Sequence, residues 1–187
     1  MTTRVARDRG EQIPVGREEV VAAILAAAAD LFAEGGPAAT SIRDIAARSK
    51  VNHGLVHRHF GSKENLVGAV LDHLGTTTTE LLQTGAPEAE RAFDRHLRVL
   101  ARALLDGYQV GQLQTRFPGV SQLLDEVRSR HDSELNARVA VANAVALQLG
   151  WRLFEPFLRS AAGIGELTES DLQQAVTAEV ARLVEPH

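Results

Sequence analysis

The chain has 187 residues, enough to bury one sizeable core or two small lobes, so no larger multidomain plan is required. It has no cysteine, which removes disulfides, thiolate nucleophiles and Cys-based zinc sites. Its formal net charge of −4 argues against a protein coated in nucleic acid, and no run approaches the ~20 apolar residues of a membrane span, so a cytoplasmic protein without a membrane partner is expected.

Residues 1–15 are polar, carry Arg4, Arg7 and Arg9, and lack both an apolar face and the apolar stretch of a signal peptide; they read as a disordered tail. A first helix follows, because Val21, Ile24, Leu25, Ala28, Leu31 and Phe32 recur at three- and four-residue steps until Gly35-Gly36-Pro37 stops it. Ser41, with Asp44 three residues on, has the pattern of a capping box and starts a short helix over about 42–48, with Ile42, Ile45 and Ala46 facing inward. After a break at 49–51, Asn52 caps a third helix whose apolar side is Leu55, Val56 and Phe60. Its His53, His57 and Arg58 stay outside. Ser62 caps a fourth helix with the stripe Leu66, Val70, Leu71 and Leu74.

Beyond the break at 84–87 the pattern predicts helices over about 88–105, 108–113 and 119–130, then a long one over 133–162 that Pro156 should kink. Thr168 and Asp171 open a last helix over 169–184. Strand alternation is nearly absent, so the fold class is all-α: an N-terminal three-helix helix-turn-helix head over 16–75, and a helical C-terminal body for ligand binding and dimerisation over 76–187.

Two short helices joined by a tight turn and braced by longer ones make a helix-turn-helix. Its second helix, over 52–59, shows His53, His57 and Arg58, which can donate to phosphate oxygens or to purine edges in a major groove. Gly54, costly inside a helix, fits a backbone that comes close to DNA. Charge agrees, because five cations (Arg43, Arg48, Lys50, Arg58, Lys63) stand against Asp44 alone between positions 40 and 63, whereas the chain from Glu64 onward is acidic. An ordinary solvated charge run is the bland alternative; its coincidence with the outer side of a helix-turn-helix disfavours it. A metal held by His53 and His57, one turn apart, is disfavoured too, because Lys50 and Arg58 repel a cation and no carboxylate lies near.

The stretch TSIRDIAARSKVNHGLVHRHFGSKENLVGAVLDHL, with the preceding ILAAAADLFAEGG, resembles the TetR/AcrR family of transcriptional repressors. The resemblance covers about the first 75 residues. Beyond them the body matches only in helix count, length and a late Gly150-Trp151. By motif position it implies that Ser41, Lys50, Asn52, His57 and Lys63 meet the DNA backbone and that Arg43, His53 and Arg58 read bases or lie near them. Two positions depart from the family: Lys50 stands where glycine is usual in the turn, and His57 replaces a tyrosine that generally touches phosphate.

In the body, Phe93, Tyr108, Phe117, Trp151, Phe154 and Phe157 are most simply core residues. Phe93, His96, Tyr108, Gln112, Phe117, Gln148, Trp151, Arg152 and Phe154 are the candidates for a small-molecule effector pocket. Leu172, Val176, Val180 and Leu183 are the candidate homodimer seam, because the family dimerises through two C-terminal helices, and inward packing is the alternative. No catalytic constellation, metal site or cofactor is expected, for the chain has no Gly-rich phosphate loop and no HExxH. The expected function is therefore an effector-released repressor on double-stranded DNA. The rival is a helical ligand- or partner-binding dimer with no DNA activity.

Overall fold

The computed structural model describes residues 14–186, so of the expected tail only Pro14 and Val15 are described, and Arg4, Arg7 and Arg9 lie outside. Among the described residues the fold is all helical: α1 (Arg17–Gly35), α2 (Ile42–Ser49), α3 (His53–Phe60), α4 (Lys63–Thr84), α5 (Ala89–Leu105), α6 (Val110–Leu113), α7 (Pro118–Val127) with a 3-10 turn Arg128–Arg130, α8 (Glu134–Ala161) and α9 (Glu169–Leu183).

Contacts divide these helices into two compact units. One holds the chain as far as His73 together with Val99–Gln114, and the other holds Leu74–Arg98 together with the chain from Thr115 on. A single cut after residue 75 therefore misses a return: the end of α5 and all of α6 belong with the N-terminal helices. The physical reason is close backbone packing. A Cβ on Gly68 of α4 would stand 2.3 Å from the Leu113 carbonyl oxygen, so only glycine lets α6 lie that close.

In the first unit α1 buries Val20, Ile24, Ala27, Ala28, Ala29 and Phe32, a face turned slightly from the expected stripe, so that Val21, Leu25 and Leu31 are only half-buried. Ile45 and Ala46 of α2, Val56 of α3 and Leu66, Val67, Val70 and Leu71 of α4 complete that core. In the second unit the core is Val127, Val141, Ala144 and Val184, with Leu123, Leu124, Val145, Val180 and Leu183 packed on it. His131 Nε2 lies 3.1 Å from the Val184 carbonyl and ties the start of α8 to the end of α9. Helix α8 continues unbroken through Gly150 and Pro156. Thr168 accepts from the Asp171 N–H at 3.1 Å and donates to the Asp171 carboxylate at 2.7 Å, which caps α9 as the sequence suggests.

The candidate dimer seam on α9 is largely packed within the chain. Leu172 is buried, Val176 is half-buried, and half-buried Val180 and Leu183 pack on the core of their own chain, as the alternative of inward packing has it. Among the described residues an exposed apolar face runs along α8. Leu135, Val139, Ala142, Ala146, Leu153 and Phe157 are exposed, and with half-buried Gly150 they follow three- and four-residue steps along one side, opposite the buried Ala137, Ala140, Val141 and Ala144. Sequence periodicity alone could not separate the two, because both helices carry an apolar seam.

Candidate nucleic-acid interface

Helix α2 begins at Ser41, whose Oγ accepts from the Asp44 N–H at 3.2 Å while the Asp44 carboxylate accepts from the Ser41 N–H at 2.9 Å, a complete capping box. The Ser41 hydroxyl also donates to the same carboxylate at 2.7 Å. These bonds, the side-chain one first, hold the Asp44 carboxyl below its usual pKa. Candidate contact Ser41 is thus already engaged in setting the entry to α2.

The turn that follows has a defined geometry. Val51 N–H donates to the Ala46 carbonyl at 3.0 Å and Lys50 N–H to the Ala47 carbonyl at 3.3 Å, the paired bonds of a Schellman close. Lys50 sits between them at φ 56° and ψ 33°, the one non-glycine residue with positive φ among those described. The turn accepts a side chain, as the departure from glycine at this position requires. Asn52 then caps α3 by accepting from the Gly54 N–H at 2.8 Å.

Burial divides α3 cleanly. Val56 is 1% exposed and Leu55 and Phe60 are half-buried, whereas His53, Gly54, His57 and Arg58 stand in solvent next to exposed Asn52 and Lys50. A Cβ on Gly54 would come 3.3 Å from Asn52 Oδ1, so the cap gives a local reason for glycine there beside approach to DNA. His57 Nδ1 lies 3.1 Å from the Gly61 carbonyl. A carbonyl only accepts, so in this contact Nδ1 carries the proton, and in the neutral ring Nε2 is left as an acceptor.

The remaining cations of the segment separate into two groups. Arg43 is exposed. Arg48 is paired through both terminal nitrogens with Glu34 at 3.2 Å, so it braces α2 on α1. Lys63 reaches back 25 positions to place Nζ 3.4 Å from the Ala38 carbonyl. Sequence reasoning missed Arg17. It lines an open groove of about 520 Å³ with Gly16, Val20, Leu55, Arg58 and His59, adding a cation from the start of α1 to the basic surface. Among the described residues no group of three or more His, Asp or Glu is placed to hold a metal ion.

The candidate effector residues are divided between the two units. Tyr108 and Gln112 belong to the first unit and the other seven to the second. Gln148, Phe117 and Phe154 are exposed, Phe154 to 57%. Arg152 is engaged with its own chain: it pairs with Glu90 and, at 3.1 Å, with Asp94, and its guanidinium lies 5.0 Å from the centre of the Phe93 ring. Phe93, His96 and Trp151 are half-buried, and burial lowers the His96 pKa.

A capped helix, a tight turn and a second capped helix with a basic outer face define a helix-turn-helix DNA-binding regulator. Residues 24–70 match the family model described as "Bacterial regulatory proteins, tetR family". Over the whole length of both chains this one is 70% identical to the HTH-type transcriptional repressor Rv3405c of Mycobacterium tuberculosis strain H37Rv. It is 30% identical to the HTH-type transcriptional regulator TtgR of Pseudomonas putida, over 68% of this chain and 67% of that one. Among solved structures, Mycobacterium smegmatis BioQ has a TM-score of 0.53 at 22% identity, covering 91% of this chain and 96% of BioQ, a likeness of fold. The chain belongs to the TetR family of DNA-binding transcriptional regulators, and it is not an enzyme.

Proposed function

We propose that the chain is a homodimeric, cytoplasmic repressor that places the α3 helices of two copies in successive major grooves of a pseudo-palindromic operator and leaves it when a small molecule binds the body. The observation that carries this reading is the division of α3, with Val56 buried and His53, His57 and Arg58 exposed beside a capped N-terminus. His53, Arg58 and Arg43 are the base or near-base readers. Lys50, Asn52, His57 and Lys63 meet phosphates, with Ser41 at the entry of α2 and Arg17 beside the groove.

Dimerisation is assigned to the exposed α8 stripe. Its middle is small, and no atom lies within 4 Å of where a Gly150 Cβ would be, so another helix could approach closely there. Repression is supported by the 70% identity to the transcriptional repressor Rv3405c. Effector control is supported by the habit of the family, whose regulators typically dimerise and bind small molecules. Half-buried Phe93, His96 and Trp151 remain the interior candidates for the ligand site.

A gel shift tests the reading. Fragments from the region upstream of the chain's own gene are titrated against excess unrelated DNA at several salt concentrations. One fragment should be retained selectively, with affinity falling steeply as salt rises. Binding to none, or to all alike, would leave the rival reading of a ligand- or partner-binding dimer. Effector control has its own test through linkage: a compound that alters Trp151 fluorescence should lower operator affinity, and the operator should weaken that compound by the same factor.

A further inference from the structure

We propose that Asp106 is a positioning residue for DNA binding, holding the α1–α2 turn from the far end of α5 and so fixing the seat of the helix-turn-helix. The proposal rests on the DNA-binding reading of α3. Asp106 Oδ2 accepts from the Ala38 N–H at 2.7 Å, across 68 positions of sequence.

The turn is shaped around that carboxylate. Gly36 has φ +87°, a backbone that favours glycine, and a Cβ there would lie 2.9 Å from the same Oδ2, so that a larger residue would displace the carboxylate. From Ala38 the tie continues into α2. Thr40 Oγ1 donates to the Gly36 carbonyl at 2.9 Å, Thr40 N–H donates to the Pro37 carbonyl at 3.2 Å, and the next residue, Ser41, is the N-cap.

Ala38 is held at both of its backbone polar groups, with its N–H on Asp106 and its carbonyl facing Lys63 Nζ at 3.4 Å. When Lys63 turns to a DNA phosphate, that second grip is given up, and Asp106 is the side chain that still holds Ala38. The segment bearing Asp106 is itself fixed to the head, because Leu113 lies flush on Gly68. Helix α5 therefore ends inside the DNA-binding unit, and the loss of Asp106 loosens the turn without removing any group that touches DNA.

The test uses the full chain and two variants, D106A and D106N. Asparagine keeps an oxygen that accepts from the Ala38 N–H and removes the charge. D106A should lower affinity for the selected upstream fragment by about five- to tenfold at a temperature well below melting. The salt slope should be unchanged, since no phosphate contact is lost, and hydrogen exchange at the Ala38 amide should quicken. D106N should restore both affinity and protection. A D106A chain that binds like the unaltered one, or a D106N chain as weak as D106A, overturns the proposal. The unaltered chain separates the two readings: if it selects no fragment, DNA binding falls and the positioning role with it, whereas selective binding that D106A leaves intact removes the positioning role alone.

Discussion

Lys50 occupies a left-handed backbone position that costs an L side chain about 1 kcal/mol or more relative to glycine. If its ammonium meets phosphate, Lys50→Gly should raise unfolding stability by roughly 1 kcal/mol while weakening operator binding and flattening the salt slope by about one unit. Denaturant unfolding and a salt titration measure the two, and unchanged DNA affinity would make Lys50 a turn residue only. His57 makes a second prediction. Its Nδ1 contact with the Gly61 carbonyl holds the ring at the C-terminal end of α3, next to exposed Arg58. His57→Ala should therefore weaken binding to every DNA fragment alike and leave the preference among bases unchanged, as competition gel shifts would measure; unchanged affinity would remove His57 from the phosphate contacts. The capping residues Ser41, Asn52 and Thr168 were legible in the sequence because each acts on an amide two or three positions away. The Arg48–Glu34 pair and the Lys63–Ala38 contact were not, because their partners lie 14 and 25 positions distant.

Among the helices, α1 to α4 could be placed closely from sequence, because each has a local stop or cap and a single apolar face. The outer side of α3 was legible for the same reason. Which late helix leaves its apolar face exposed was not, for α8 and α9 both carry apolar stripes and only packing decides it. The consequence is a contrast between two variants. Ala146→Glu, on the exposed α8 face, should give a folded monomer by ultracentrifugation, since it sets like charges against an apolar seam across a two-fold axis. Leu172→Ala, in the interior, should remain dimeric and lose about 2–4 kcal/mol of stability. A dimeric Ala146→Glu with full operator affinity would move the interface elsewhere.

At the scale of the whole molecule, the division into units was only partly legible. The return of Val99–Gln114 to the N-terminal unit depends on backbone approach at Gly68 and on Asp106, which no periodicity reveals. The exposure of Gln112, Phe117, Gln148 and Phe154 among the effector candidates has a related cause, since closeness to an aromatic in sequence does not decide which side of a helix a residue takes. His96 links the body to global stability. Its burial disfavours the imidazolium, so its folded pKa lies below the ordinary value near 6.5. Below that value the unfolded chain binds more protons than the folded one. The stability His96 contributes is thus complete above about pH 6.5 and falls as pH drops toward the folded pKa. Denaturant midpoints followed over that interval should show the fall, and His96→Gln should reduce it. An equal fall in the variant would assign it to other groups.

The central claim is that the outer face of α3 reads DNA, and the direct measurement is a preference profile: affinities of the unaltered chain and of His53→Ala for every single-base variant of the selected fragment. The account predicts that His53→Ala loses discrimination at particular base pairs by about 1–3 kcal/mol and keeps its preferences elsewhere. A profile lowered uniformly, or not changed at all, would remove His53 from the reading face and contradict the assignment of α3 as the recognition helix.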